Sequence, residues 1–172
     1  MEVFISNAAH NEVSELQPNR GLAEEVRRKT AEQVSNVHAD AFRLLINVQG
    51  IHWNAQGPLF YSLHQLTENQ YEDLGDSIDD LAERVRALGL VALESLEAYQ
   101  ERSVIDDLPK DADLKQRVAR LISDYERATE RAAKAVNVAE EHGDVMTADL
   151  LTERIGVYEE NAWMLRATLA ES

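Results

Sequence analysis

The sequence predicts an all-α protein: four long helices in a bundle, with a short helix inside the long crossover between the second and third. Three observations predict it. The 172 residues include only 7 Gly and 3 Pro, while the helix formers Ala, Leu, Glu and Arg are abundant. Apolar residues recur at helical spacing in four blocks. The stretch VALESLEAYQERSVIDDLP, between the second and third blocks, is too long for a hairpin turn and long enough to cross a bundle. The chain length suits one domain with a sizeable core, and no internal repeat marks a second.

The first block, about 22–49, carries Leu22, Val26, Val34, Val37, Ala41, Leu44 and Val48. The second starts at Pro58, a favoured first helical position. It carries Leu59, Leu63, Leu66, Leu74, Ile78, Leu81, Val85 and Leu88 and stops near Gly89. The third follows Pro109 and Asp111, with Leu114, Val118, Leu121, Tyr125, Ala132 and Val136, and ends at the His142-Gly143 stop signal. The fourth has Leu150, Leu151, Ile155, Tyr158, Ala162, Leu165 and Leu169. Four helices with one long crossover make the ferritin-like arrangement. Residues 1–20 show no period and read as a mobile tail before a domain of residues 21–172.

The formal net charge is −15, from 17 basic and 32 acidic residues. Such a surface repels phosphate backbones and attracts cations. With no Cys, disulfides and thiolate metal sites are excluded, and a cytoplasmic location is the default expectation. No apolar run is long enough for a membrane span, and no secretory leader is expected. From Leu44 to Glu83 there is no Lys or Arg, while Glu68, Glu72, Asp73, Asp76, Asp79, Asp80 and Glu83 occur there. Alone, such a run reads as a solvated helix face.

The stretch HWNAQGPLFYSLHQLTE adds His52 and His64 across a Gly-Pro break and closes with Glu68. On a helical wheel, Glu68 lies about 40° from His64, Asp79 about 60° and Glu83 about 100°. The leucines and isoleucine of that helix fall between about 200° and 320°. One imidazole and three carboxylates thus share a face that does not pack the core. Along the axis, however, His64 and Asp79 are roughly 22 Å apart at about 1.5 Å per residue. His52 can fold back to join His64 and Glu68; Asp79 and Glu83 cannot. Two such helices laid antiparallel about a two-fold axis would bring the His end of each to the Asp/Glu end of the other. Gly75 and Ala82 on this face would permit close approach. Imidazole with carboxylate suits Fe(II), Mn(II) or Zn(II), and an open site of this kind suits redox chemistry on iron. Taken singly, His52 reads as a core or capping histidine, and each acid as a surface charge. No Glu stands three residues before any His, so the intrahelical Glu-x-x-His sites of ordinary ferritins are not available.

HWNAQGP, the His twelve residues on, DDLAERVRALG, GDVMTADLL and YEENAWMLRATL resemble the Dps family, the DNA-binding proteins from starved cells, or miniferritins. The resemblance spans about residues 22–170. It implies a hollow homododecamer with ferroxidase sites at its two-fold interfaces, whose ligands carry over as His52, His64 and Glu68 from one subunit and Asp79 and Glu83 from its mate. Glu68 departs from the Asp of well-known members, lengthening that ligand by a methylene. The implied reaction is oxidation of Fe(II), preferably by hydrogen peroxide rather than oxygen, with ferric mineral stored inside and protection against oxidative stress as the outcome. Trp53 reads either as an electron donor beside the site or as an interface packing residue.

The family's iron inlet, lined by acids near the junction of the third and fourth helices, would here use Glu140, Asp144 and Asp149. Asp144 also reads as the N-cap of the fourth helix. His10, His38 and His142 read as surface residues. Members that condense DNA usually use a basic tail, yet residues 1–19 hold no Lys or Arg and three acids, Glu2, Glu12 and Glu15. The C-terminal ATLAES is no more basic, and the cluster Arg20, Arg27, Arg28 and Lys29 adjoins Glu24 and Glu25. DNA binding is therefore not expected at physiological salt, while nucleoid association stays open beside the cytoplasmic default. Two other classes remain open: a shell that sequesters metal without turnover, and a shell that coats DNA.

Overall fold

The computed structural model describes residues 21–170, so the tail expected over 1–20 lies outside the described residues. The helices are α1 (Glu24–Asn54), α2 (Phe60–Ala87), α3 (Leu96–Arg102), α4 (Leu114–Glu141) and α5 (Val145–Ala170). α1 packs on α2, α4 and the short crossover helix α3, while α5 packs on α4 and α2. Four long helices and one crossover with its own short helix are thus observed.

Local signals place most of the ends. α4 opens with a capping box in which the Asp113 carboxylate accepts from Gln116 N–H at 2.8 Å and the Gln116 side chain accepts from Asp113 N–H at 3.0 Å. It closes in a Schellman motif: Asp144 N–H donates to Ala139 O at 2.8 Å and Gly143 N–H to Glu140 O at 3.0 Å, with Gly143 at φ +71°. α3 is capped by Ser95 Oγ, which accepts from Ala98 N–H. α1 differs from expectation, running past Gly50 to Asn54. A Cβ at Gly50 would meet Arg117 and Leu108 at ordinary contact distances of 3.8 and 3.9 Å, and the buried Ile51 and His52 carry the helix on beyond it. The extension puts His52 and Trp53 in the last turn of α1. α2 starts at Phe60 instead of Pro58, which lies in the turn that Gly57 makes at φ +82°.

The core lies between the four long helices. Leu63, Leu74, Leu81 and Val85 of α2, with its C-cap Leu88, are fully buried against residues such as Leu44, Leu121, Leu151 and Leu165. Burying each such side chain contributes roughly 1.5–3 kcal/mol. The opposite stripe of α2 stays open, with His64 and Glu68 half-buried and Asp79 and Glu83 exposed.

His38 is a correction. It is buried, not superficial, because the crossover covers it. Tyr99 of α3 donates its hydroxyl to Leu93 O at 3.1 Å, so the same oxygen accepts from His38 Nε2–H at 3.2 Å. The Tyr99 ring also stacks on Phe42 with centroids 4.1 Å apart. Among the described residues, His142 is half-buried and lies 3.2 Å from Lys29 Nζ; His10 lies outside them.

Candidate metal centre

The end of α1 and the start of α2 form a hairpin that brings His52 and His64 face to face, with ring centroids 3.9 Å apart and planes within 16°. Reciprocal contacts fix the two rings. His52 Nδ1 lies 3.0 Å from the carbonyl of His64, and His64 Nδ1 lies 3.2 Å from the carbonyl of His52. A carbonyl only accepts, so each Nδ1 carries its proton and, in the neutral ring, each Nε2 holds the free lone pair. Thr67 reinforces this. Its hydroxyl donates to Leu63 O at 2.6 Å, leaving its oxygen to accept from His52 Nδ1–H at 3.3 Å. Such outer hydrogen bonds set the tautomer and orientation that a metal-binding imidazole needs.

Two aromatic residues flank the pair. Phe60 stacks on His64 with centroids 5.2 Å apart, and Tyr71 meets the His52 ring edge-on at 5.1 Å. The Tyr71 phenol is pushed up, first by burial and then by the nearby carboxylates of Glu68 and Glu72. Sequence reasoning passed over Thr67, Phe60 and Tyr71. Phe60 and Tyr71, four residues before and seven after His64, were legible as neighbours on its stripe. Thr67 was not, because its role depends on where the α1 backbone ends.

One chain does not complete a site. Among the described residues, no three His, Asp or Glu side chains converge to hold a metal ion. Glu68 is one turn beyond His64 but accepts from Gln65 at 3.3 Å rather than closing on the imidazoles. Asp79 and Glu83 are exposed farther along α2. The structure therefore brings His52 and His64 together and leaves the three carboxylates on open surface of the same helix.

A family model described as ferritin-like domain matches residues 31–172. A low temperature-induced protein of Nostoc sp. is 36% identical, over 87% of this chain and 84% of that protein. The DNA protection during starvation protein of Helicobacter pylori is 33% identical, over 83% of this chain and 99% of its own length. The chain belongs to the Dps family. Among solved structures, a Dps protein from Vibrio cholerae, described as a member of a broad superfamily of ferritin-like diiron-carboxylate proteins, superposes with a TM-score of 0.80. It is 29% identical, covering 94% of this chain and 98% of that one. Membership of the Dps family supports a role in iron storage in general.

In this Dps chain the α4–α5 junction separates the three acids expected at an inlet. Glu140 and Asp149 line one surface pocket, together with Gly143, Val145, Ala148 and Thr152. Asp144 does not join them. It is buried and bonds Arg84 of α2, while its two oxygens accept from Thr147 N–H at 3.2 Å and Thr147 Oγ at 2.7 Å. Burial raises its carboxyl pKa, but the bonds from Arg84 and Thr147 outweigh that and hold it below the ordinary value. Of its two expected roles, the geometry shows the N-cap. Trp53, 69% exposed beside buried His52, offers a large aromatic surface next to the candidate centre. No helix among the described residues is long and apolar enough to cross a membrane.

Proposed function

We propose that this protein is a ferroxidase and iron store: it oxidises Fe(II) at sites shared by two subunits and keeps the ferric product inside a hollow homododecamer. The observation that carries the reading is the stacked His52–His64 pair with both Nδ1 atoms committed to carbonyls. Two Nε2 lone pairs are thereby presented beside the acidic stretch of α2 up to Glu83, which holds no Lys or Arg. Fe(II) is the substrate, and Zn(II) or Mn(II) would suit the same donors.

His52, His64 and Glu68 of one subunit and Asp79 and Glu83 of its mate would hold the iron. The carboxylates would stabilise the added positive charge as Fe(II) becomes Fe(III). Two Fe(II) ions each give one electron to hydrogen peroxide, which takes two protons and leaves as two waters, so no radical need escape. Trp53 would supply an electron when the second iron is missing. Glu140 and Asp149 would draw cations toward the interior through carboxylate fields. A cytoplasmic location and protection against oxidative stress accord with this role.

Anaerobic protein titrated with Fe(II) and then given peroxide tests the proposal. Ferric absorbance should rise with two Fe(II) consumed per peroxide, in an assembly about twelve times the mass of one chain. Bound Fe(II) that stays reduced on adding peroxide would instead favour a sequestering shell. Duplex binding at physiological salt would favour a DNA-coating shell.

A further inference from the structure

A pocket between α1 and α4 has a charge unlike the rest of the chain. It is lined by Gln33 and Asn36 of α1 and by Arg127, Glu130, Arg131 and Lys134 of α4, and holds about 370 Å³. Three cations against one acid stand out in a chain of net charge −15.

The hydrogen-bond inventory decides which kind of ligand suits it. Arg131 uses Nη1 on both oxygens of buried Asp40, at 3.2 and 3.3 Å, and on Arg102 O at 2.7 Å. Arg127 uses Nη1 on buried Asp124, at 3.4 Å, with Asp106 at 3.7 Å. Among the described residues, the Nε and Nη2 groups of both guanidinia remain as donors. Asn36 Oδ1 is taken by Arg102 at 3.3 Å, which leaves the Asn36 amide nitrogen as a donor. Lys134 is exposed and has no ion pair among the described residues. Among the described residues, the lining side-chain acceptors are the Glu130 carboxylate and the amide oxygens of Gln33 and Asn36, the last already engaged once. The two arginines are anchored on one nitrogen by buried carboxylates. That lowers the net field but also fixes the forks, so little side-chain freedom is lost on binding. Fixed guanidinium forks beside an ammonium match the tetrahedral oxygens of phosphate.

We propose that this pocket is a binding site for a phosphate group, independent of the metal centre, and that Lys134 is its one mobile cation. The group can arrive as free orthophosphate or as the backbone phosphate of a nucleic acid. The assembled wild-type protein is titrated calorimetrically with inorganic phosphate at constant ionic strength in a buffer without other oxoanions. The same titration is made on Lys134→Glu and on Lys110→Glu, which places an equal charge change on an exposed loop away from the pocket.

Wild type should bind phosphate saturably. Lys134→Glu should bind about tenfold more weakly or not at all, and Lys110→Glu should match wild type. A short DNA duplex that displaces phosphate from wild type, with the same dependence on Lys134, would identify nucleic acid as the source; failure to displace would leave free phosphate. Iron oxidation by Lys134→Glu should be unchanged. No saturable uptake by wild type, or equal weakening in the two variants, would overturn the site.

Discussion

His52 shows how one atom's hydrogen bond prepares another for chemistry. Its Nδ1–H is held by a carbonyl and by Thr67, and its Nε2 is left bare. Thr67→Val keeps the volume but removes the acceptor. It should lower the rate of Fe(II) oxidation about tenfold, with Thr67→Ser restoring it and the helical circular dichroism unchanged. Wild-type rates in Thr67→Val would show that the carbonyl alone sets the ring. Asp144 makes a different case. Its alanine variant loses an N-cap and leaves the largely buried Arg84 with Thr147 as its remaining side-chain partner. Stability should fall by about 2–4 kcal/mol in urea unfolding, while the rate of iron uptake per folded shell stays the same. A stable variant with slow uptake would return Asp144 to the inlet. The wheel could place His64, Glu68, Asp79 and Glu83 on one face because a helix fixes angles. It could not choose between cap and pore for Asp144, because that choice rests on Arg84, sixty residues away on another helix.

At the scale of elements, the four long helices were legible from periodicity, and Gly143 ends α4 where the stop signal placed it, while the cap that opens α4 is Asp113 rather than Asp111. The end of α1 was less legible: the apolar block ends near residue 49, while tertiary burial of Ile51 and His52 carries the helix to Asn54. His38 was misread for the same cause, since a crossover of irregular chain carries no period that says what it covers. Its docking of α3 has a pH signature. Burial lowers the folded-state pKa of His38 from 6.5 to about 4. The unfolded chain therefore binds a proton in the window from pH 6.5 to about 4 that the folded chain refuses. Stability from this group is complete above pH 6.5 and is lost as pH falls through the window, on the order of 3 kcal/mol in all. His38→Gln keeps a donor for the Tyr99 oxygen and removes the titration. Urea unfolding at pH 7 and pH 5, at fixed protein concentration, should show a smaller loss in the variant than in wild type. Equal losses would place the acid sensitivity elsewhere.

For the whole molecule, the central claim is that the metal centre belongs to two chains. Among the described residues, one chain gathers two imidazoles and no third ligand, and Asp79 is roughly 22 Å along α2 from His64 at about 1.5 Å per residue. The decisive measurement is peroxide-driven Fe(II) oxidation by mixed shells. One chain type carries His52→Ala/His64→Ala and the other Asp79→Ala/Glu83→Ala; the two are unfolded together and reassembled. Each parent shell lacks two of the five ligands at every site and should oxidise iron far below the native rate. With random pairing, about half of the two-fold pairs are mixed and each regains one intact site, so about a quarter of native activity should return. Full activity in either parent, or no recovery in well-formed mixed shells, would contradict the shared centre.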